Sequence, residues 1–407
     1  MLRSFRLGNH RSFRDEQELL LMPARPGDVR TAVPVAAIYG ANASGKSNLL
    51  NGLWYMQTAV LETVGGIGSA EGFRLDDGEE EGASSYVVEL VADGNRYTYG
   101  FVVRGEIVEQ EWLYSYPEKR RRVLLERTGE HLKFGSTVPD LKAKLTVLDG
   151  LIQPDALVLG ICKRLSLEPL MPVYEWFKAG VRIHYRYAEE TTDSLGQRVA
   201  AFLRRGPEHS RRLLGLLVAA DVGITDISVE DIGEPIRQPH ALTALQRVRR
   251  PGPGQARLRF KHGVSGVPFD LVDESAGTLN WLDLLPAVLD VLDAGQLFVV
   301  DEIDGSLHPR LTAKLIELFQ SEETNPHGAQ LIFTTHDTSL LGTMLGGDLL
   351  DRDQVWFVEK GEDGASELYP LTDFKPRKDQ NTERRYLAGS YGAVPVLGDF
   401  GEAIAGR

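Results

Sequence analysis

The sequence predicts an α/β protein: a mixed sheet with helices, an antiparallel β-meander subdomain and a helical insertion. Three observations predict it. Continuous apolar runs at "VPVAAIYG" (33–40), "LFVV" (297–300) and "AQLIFTT" (329–335) are of the kind that forms strands buried on both faces. From residue 86 to about 134 the period changes to two, in "YVVELVAD", "RYTYGFVVR", "IVEQEWLYSY" and "RRVLLER", with Asp-Gly, Arg-Gly and Pro-Glu turns between them. Residues 140 to about 220 carry helical spacing, most clearly in "SRRLLGLLVAADVG" (210–223).

In chain order, the first 30 residues alternate weakly and read as edge strands. The run 33–40 stops at Gly40 and feeds "KSNLLNGLWYMQTAVLETV" (46–64), a helix by its apolar spacing. A Gly- and acid-rich loop (65–82) leads into the meander. Strands around 224–230 and 256–261 flank a loop rich in Pro, Gly and Arg. Then "ESAGT" (274–278) opens an amphipathic helix with Leu279, Leu282, Leu285 and Val288 on one face. The strand at 297–300, a helix at 309–320, the strand at 329–335 and a closing α/β segment follow. This order divides into an N-terminal lobe (1–139), a mostly helical insertion with an Arg-rich loop (140–255) and a C-terminal lobe (256–407).

The 407 residues are 42% hydrophobic and 25% charged, ordinary for a globular protein. No apolar run approaches the roughly 20 residues of a membrane span. The N-terminus places Arg and His where a secretion signal needs its apolar core. Cys162 is the only cysteine, which excludes an internal disulfide and a Cys-rich metal site. These features predict a cytoplasmic protein without a membrane partner. A net charge of −13 argues against a surface that binds nucleic acid all over. Local Arg clusters at 118–122, at Arg204/Arg205 with Arg211/Arg212, and at 247–261 keep nucleic acid among the candidate ligands. A solvated hairpin or loop is the simpler reading of any one of them taken singly.

"GANASGKS" (40–47) matches G-x-x-x-x-G-K-[ST] in full, after a buried strand and before a helix. Gly40 and Gly45 permit the turns that aim backbone N–H groups at phosphate, along a loop running through Asn42 and Ser44 to Asn48. Lys46 adds a mobile cation for the β- and γ-oxygens of ATP, and the Ser47 hydroxyl can ligate Mg²⁺. "LFVVDEID" ends an apolar strand in two carboxylates: Asp301 suits Mg²⁺, and Glu302 suits a general base for the attacking water. "LIFTTHD" ends in Thr334, Thr335 and His336, which makes His336 a candidate γ-phosphate sensor. Ser275 and Gly277 form a second anion-binding candidate at a helix start. The simpler reading of Ser275 is a cap on its own helix, worth about 1 kcal/mol.

With the phosphate loop, Ser-Ala-Gly helix, Asp-Glu strand, "GSLHP" turn and His-terminated strand in this order, the chain resembles the ABC-type ATPases of the SMC/RecF-like branch. That resemblance implies an ABC-type P-loop ATPase head in which Ser275 and Gly277 reach the phosphate loop of a second copy, so that two copies pair head-to-tail around ATP. Thr278 stands where transporters commonly carry Gln or Glu. "NHRSFRDEQEL", "AAIYGANASGKSNLL", "DESAGT", "VVDEIDGSLHP", "QLIFTTHD" and "DQVWFVEK…SELYPLTDF…RRYLAGSYGAVP" together resemble the ATPases of bacterial phage-defence operons typified by RloA and the AbiL ATPase. This implies a separately encoded effector, often with a Toprim-like nuclease fold. Two other readings stay open: a RecF-like DNA clamp without a toxic partner, and a nucleotide-dependent scaffold, against which the Asp301/Glu302 pair speaks.

Overall fold

The computed structural model describes residues 1–63, 65–75, 82–136, 152–184, 192–231, 256–263, 266–305, 307–345, 347–375 and 380–404. Most of the Arg-rich 247–261 stretch therefore lies outside the described residues. The chain divides into two compact units, one of residues 1–184, 294–303 and 315–407, the other of 185–293 and 304–314.

The larger unit holds two sheets. Among the described residues the first has seven strands in the order β2-β1-β4-β5-β6-β7-β8. These are β1 (Leu2–Gly8), β2 (Gln17–Leu20), β4 (Ser84–Ala92), β5 (Asn95–Arg104), β6 (Ile107–Ser115), β7 (Arg122–Thr128) and β8 (His131–Phe134). All pairings are antiparallel, and β4 to β8 form the expected meander. Of the two N-terminal strands only β2 is an edge; β1 pairs on both sides, with β2 and β4, which corrects the reading of the N-terminus as edge strands.

The second sheet has the order β16-β15-β3-β14-β13-β9. It contains β3 (Val35–Tyr39), β9 (Val181–His184), β13 (Leu297–Val300), β14 (Gln330–Thr334), β15 (Val355–Lys360) and β16 (Ser366–Pro370). Strands β9, β13, β14, β3 and β15 run parallel, and β16 closes one edge antiparallel. Every residue of β3, β13 and β14 is buried, which is why these runs are apolar throughout instead of alternating.

Helix α1 (Lys46–Leu61) follows β3 and buries Leu49, Leu50, Leu53, Met56 and Val60. Its Gly52 permits close packing on β1, since a Cβ there would lie 2.8 Å from Leu7 Cδ1. The Gln57 amide of α1 donates to the carbonyls of Phe177 (2.8 Å) and Val181 (2.9 Å), tying it to helix α2 (Met171–Ala179) and to β9. Buried Gln330 joins the sheets: its side chain accepts from the Leu2 N–H at 2.6 Å and donates to the Leu2 carbonyl at 2.9 Å.

The smaller unit contains α3 (Thr192–Leu203), α4 (Pro207–Ala219), most of α5 (Ala276–Ala294) and the antiparallel strands β10 (Ile224–Asp231), β11 (Ala256–His262) and β12 (Pro268–Asp270). Helix α5 buries Trp281, Leu284 and Val291 as well as Leu282, Leu285 and Val288, so its apolar surface exceeds one stripe. Helix α6 (Pro309–Gln320) precedes β14.

Candidate nucleotide site

The phosphate loop leaves β3 at Gly40 and enters α1 at Lys46. Two of its glycines are required by space. A Cβ on Gly40 would fall 2.6 Å from Ser44 Oγ and even closer to the Val358 carbonyl. At Gly45, where φ is +116°, it would meet Ser366 Oγ at 2.5 Å and Ser12 Oγ at 2.7 Å. Ala43 also holds a left-handed φ of 62°. Backbone in this region presents successive N–H groups to one concavity.

Lys46, 6% exposed, donates from Nζ to the carbonyls of Gly40 (2.9 Å) and Ala41 (3.1 Å), arching over the loop it follows. The buried Ser44 Oγ has no hydrogen-bond partner among the described residues. Asn42 is exposed at the loop tip. Asn48 braces the loop: its Nδ2 donates to Ser12 Oγ at 2.8 Å. Ser366 completes this brace, donating its hydroxyl to the Ser44 carbonyl (2.6 Å) and its N–H to the Ser12 carbonyl (2.7 Å).

Asp301 lies one residue past β13. Its Oδ1 accepts the Ser47 hydroxyl at 3.1 Å and the Thr334 hydroxyl at 2.6 Å. Parallel pairing explains the convergence, because β13 and β14 are adjacent and end together. The turn is held from both flanks: the Asp301 N–H donates to the His184 carbonyl at the end of β9, and the Ile303 N–H to the Thr334 carbonyl. Glu302 is exposed with φ 50°, a conformation that costs a non-glycine residue about 1–2 kcal/mol. Its N–H donates to Thr334 Oγ1 at 2.7 Å. His336 is exposed two residues beyond Thr334. The structure thus brings Ser47, Asp301 and Glu302 to one end of the parallel strands.

Ser275 and Gly277 lie in the other unit. Ser275 is exposed; its Oγ accepts the Thr278 N–H at 3.2 Å and meets Thr278 Oγ1 at 2.9 Å, so it does cap α5. Thr334, Ser12 and Ser366 were not anticipated in these roles. Only Thr334 carries a sequence signal, as the polar residue that ends an apolar strand.

The residues fit Mg²⁺ and a nucleoside triphosphate. A cradle that a Cβ would fill, a buried unpartnered hydroxyl and a retained lysine suit phosphate oxygens. A serine hydroxyl beside one carboxylate is a hard, oxygen-only set, as Mg²⁺ takes when phosphates and water complete its shell.

Fold and site together define a P-loop α/β domain, built on a phosphate loop and an adjacent carboxylate strand. The family model described as "AAA domain, putative AbiEii toxin, Type IV TA system" matches residues 35–147 and 182–342, and the chain belongs to that family. No curated protein matches the sequence. Among solved structures the chain is similar to an Smc head bound to the C-terminal winged-helix domain of ScpA, at 14% identity and TM-score 0.43, covering 92% of this chain and 99% of that one. It is also similar to an Smc head domain with a coiled coil and joint derived from Pyrococcus yayanosii, at 12% identity and TM-score 0.41, with the same coverages. No helix among the described residues is long and apolar enough to cross a membrane.

Proposed function

We propose that the protein binds and hydrolyses Mg·ATP, that two copies pair head-to-tail around the nucleotide, and that this pairing controls a separately encoded effector in phage defence. One observation carries the catalytic part: Ser47, from the phosphate loop, and Thr334, from β14, converge on the same oxygen of Asp301. A bound Mg²⁺ would neutralise charge on the β- and γ-phosphate oxygens. Lys46 turns from its loop carbonyls to the phosphates, and loop N–H groups from Gly40 to Asn48 orient them. Glu302 accepts the proton of the attacking water, and His336 contacts the γ-phosphate. Ser275 and Gly277 supply the second half of the site from the partner copy. The effector and its defence role rest on the resemblance to phage-defence ATPases.

Nucleic acid is the second proposed partner, at one place. Arg205 and Arg212 are paired with Asp290 (2.6 Å) and Asp293 (2.7 Å), and Arg257 and Arg259 with Asp270. Lys119, Arg120 and Arg121, on the turn between β6 and β7, and Arg122, which opens β7, are exposed and make no ion pair among the described residues. Arg121 covers the Tyr114 ring at 4.3 Å, and Arg96 covers Tyr116 at 3.9 Å. Each of these rings already carries a cation on one face, which favours phosphate contacts over base stacking.

Calorimetry tests the nucleotide reading. Lys46→Ala is expected to weaken ATP binding at least about tenfold, or about 1.4 kcal/mol. Equal affinity in both proteins would overturn it.

A further inference from the structure

We infer that Thr334 is a positioning residue for the hydrolytic site, one hydroxyl that sets both the carboxylate facing the metal and the backbone carrying the base. The inference rests on the proposed ATPase reading. Thr334 is 0% exposed, at the last position of β14. Its Oγ1–H donates to Asp301 Oδ1 at 2.6 Å, and the same oxygen accepts the Glu302 N–H at 2.7 Å. A hydroxyl has one proton to give, and Asp301 accepts it; its lone pairs remain for the N–H. Both bonds can form at once only in this orientation.

The two bonds do different work. The first fixes the rotamer of Asp301 against the Ser47 hydroxyl, which donates to the same Oδ1. The second helps hold Glu302 at φ 50°, a left-handed conformation that a glutamate does not adopt unaided. Without it the turn relaxes and the Glu302 carboxylate leaves its place. Thr334 also lies two residues before His336 on the same chain segment, so a shift of β14 that follows the γ-phosphate reaches Glu302 through a single side chain.

The test compares Thr334→Val, which keeps the shape and removes the hydroxyl, with Thr334→Ser, which keeps the hydroxyl and removes the methyl group. Both are measured for ATP affinity by calorimetry with Mg²⁺ and with EDTA, for kcat and KM, and for the Mg²⁺ concentration giving half-maximal rate. The Val protein is expected to bind ATP in EDTA like wild type, to lose most of the affinity gained from Mg²⁺, and to lose about 10- to 100-fold in kcat with KM for Mg·ATP raised in step with the lost affinity, as when a group that orients a metal ligand is removed. The Ser protein is expected to keep most of both. A Val protein with unchanged kcat and an unchanged Mg²⁺ requirement would overturn the inference. So would a Ser protein as impaired as the Val protein, since the methyl packing would then be what matters. If wild type binds Mg·ATP without turning it over, the hydrolase reading fails and the calorimetric comparison alone decides the role of Thr334.

Discussion

Ser47 Oγ stands 3.1 Å from Asp301 Oδ1, joining residues 254 positions apart in the chain. The hydroxyl follows a phosphate loop and the carboxylate follows a neighbouring group of strands, so a metal held there is coupled to the phosphates. Asp301→Asn is expected to leave nucleotide affinity in EDTA within about twofold and to abolish the gain from Mg²⁺, because a neutral amide is a poor Mg²⁺ ligand. Calorimetry with and without Mg²⁺ checks this. An unchanged gain would remove Asp301 from the metal site.

A pH dependence of stability comes from His10. The ring is 1% exposed, with Nδ1 2.8 Å from the Tyr86 hydroxyl and Nε2 3.1 Å from Asn51 Oδ1. This suits a neutral ring that donates from Nε2 and accepts at Nδ1. Burial, and secondarily the charge of Arg11, lowers its pKa to about 4. The unfolded chain has the ordinary value of about 6.5 and binds the proton first. The contribution is therefore present above pH 6.5 and is lost as pH falls toward 4, up to about 3 kcal/mol. Urea unfolding of wild type and His10→Gln across this range should show a smaller pH dependence in the variant. Equal dependence would assign the effect to other groups.

Much of this was legible from local pattern. Buried parallel strands advertise themselves as unbroken apolar runs, which placed β3, β13 and β14 and, with the motifs at their ends, Gly40 to Ser47, Asp301 and Glu302. The helical spacing over 140–220 hides the short strand β9, because "VRIH" is only four residues long, buries only Val181 and owes its strand to pairing with β13. The brace of Ser12, Asn48 and Ser366 could not be read: three polar residues at unrelated positions meet only when β16 and the start of the chain close on the loop. Charge spacing alone does not reveal that Asp290 and Asp293 pair with Arg205 and Arg212.

Mixing tests the shared site. Lys46→Ala and Ser275→Arg should each be inactive alone, since every pair of identical mutants has two broken sites. In a mixed pair one site carries both lesions and the other neither. At equal concentrations up to roughly a quarter of wild-type activity should return, given random pairing of copies and independent sites in a two-fold assembly. If Ser275 only caps α5, its arginine variant loses about 1 kcal/mol of stability and stays active. No rescue, with both variants folded and paired, would contradict the shared site.

For the basic turn, anisotropy with a labelled duplex of arbitrary sequence is expected to show affinity falling with salt. A log–log slope near about −3 corresponds to three or four phosphate contacts. Reversing Arg120, Arg121 and Arg122 to Glu should remove this binding, while reversing Lys163 and Lys178 should not. Equal loss in both variants, or displacement by polyglutamate as effective as by DNA, would refute a nucleic-acid site at this turn.

Phosphate release from purified wild type and Glu302→Gln, measured beside ATP binding in the same samples, separates hydrolysis at Glu302 from nucleotide binding. The substitution keeps the shape of the side chain and removes the base. Mg²⁺-dependent hydrolysis is expected in wild type, a loss of about 100-fold or more in the variant, and ATP binding in both. Wild-type turnover in the Glu302→Gln protein, or no hydrolysis by wild type at saturating Mg·ATP, would contradict it.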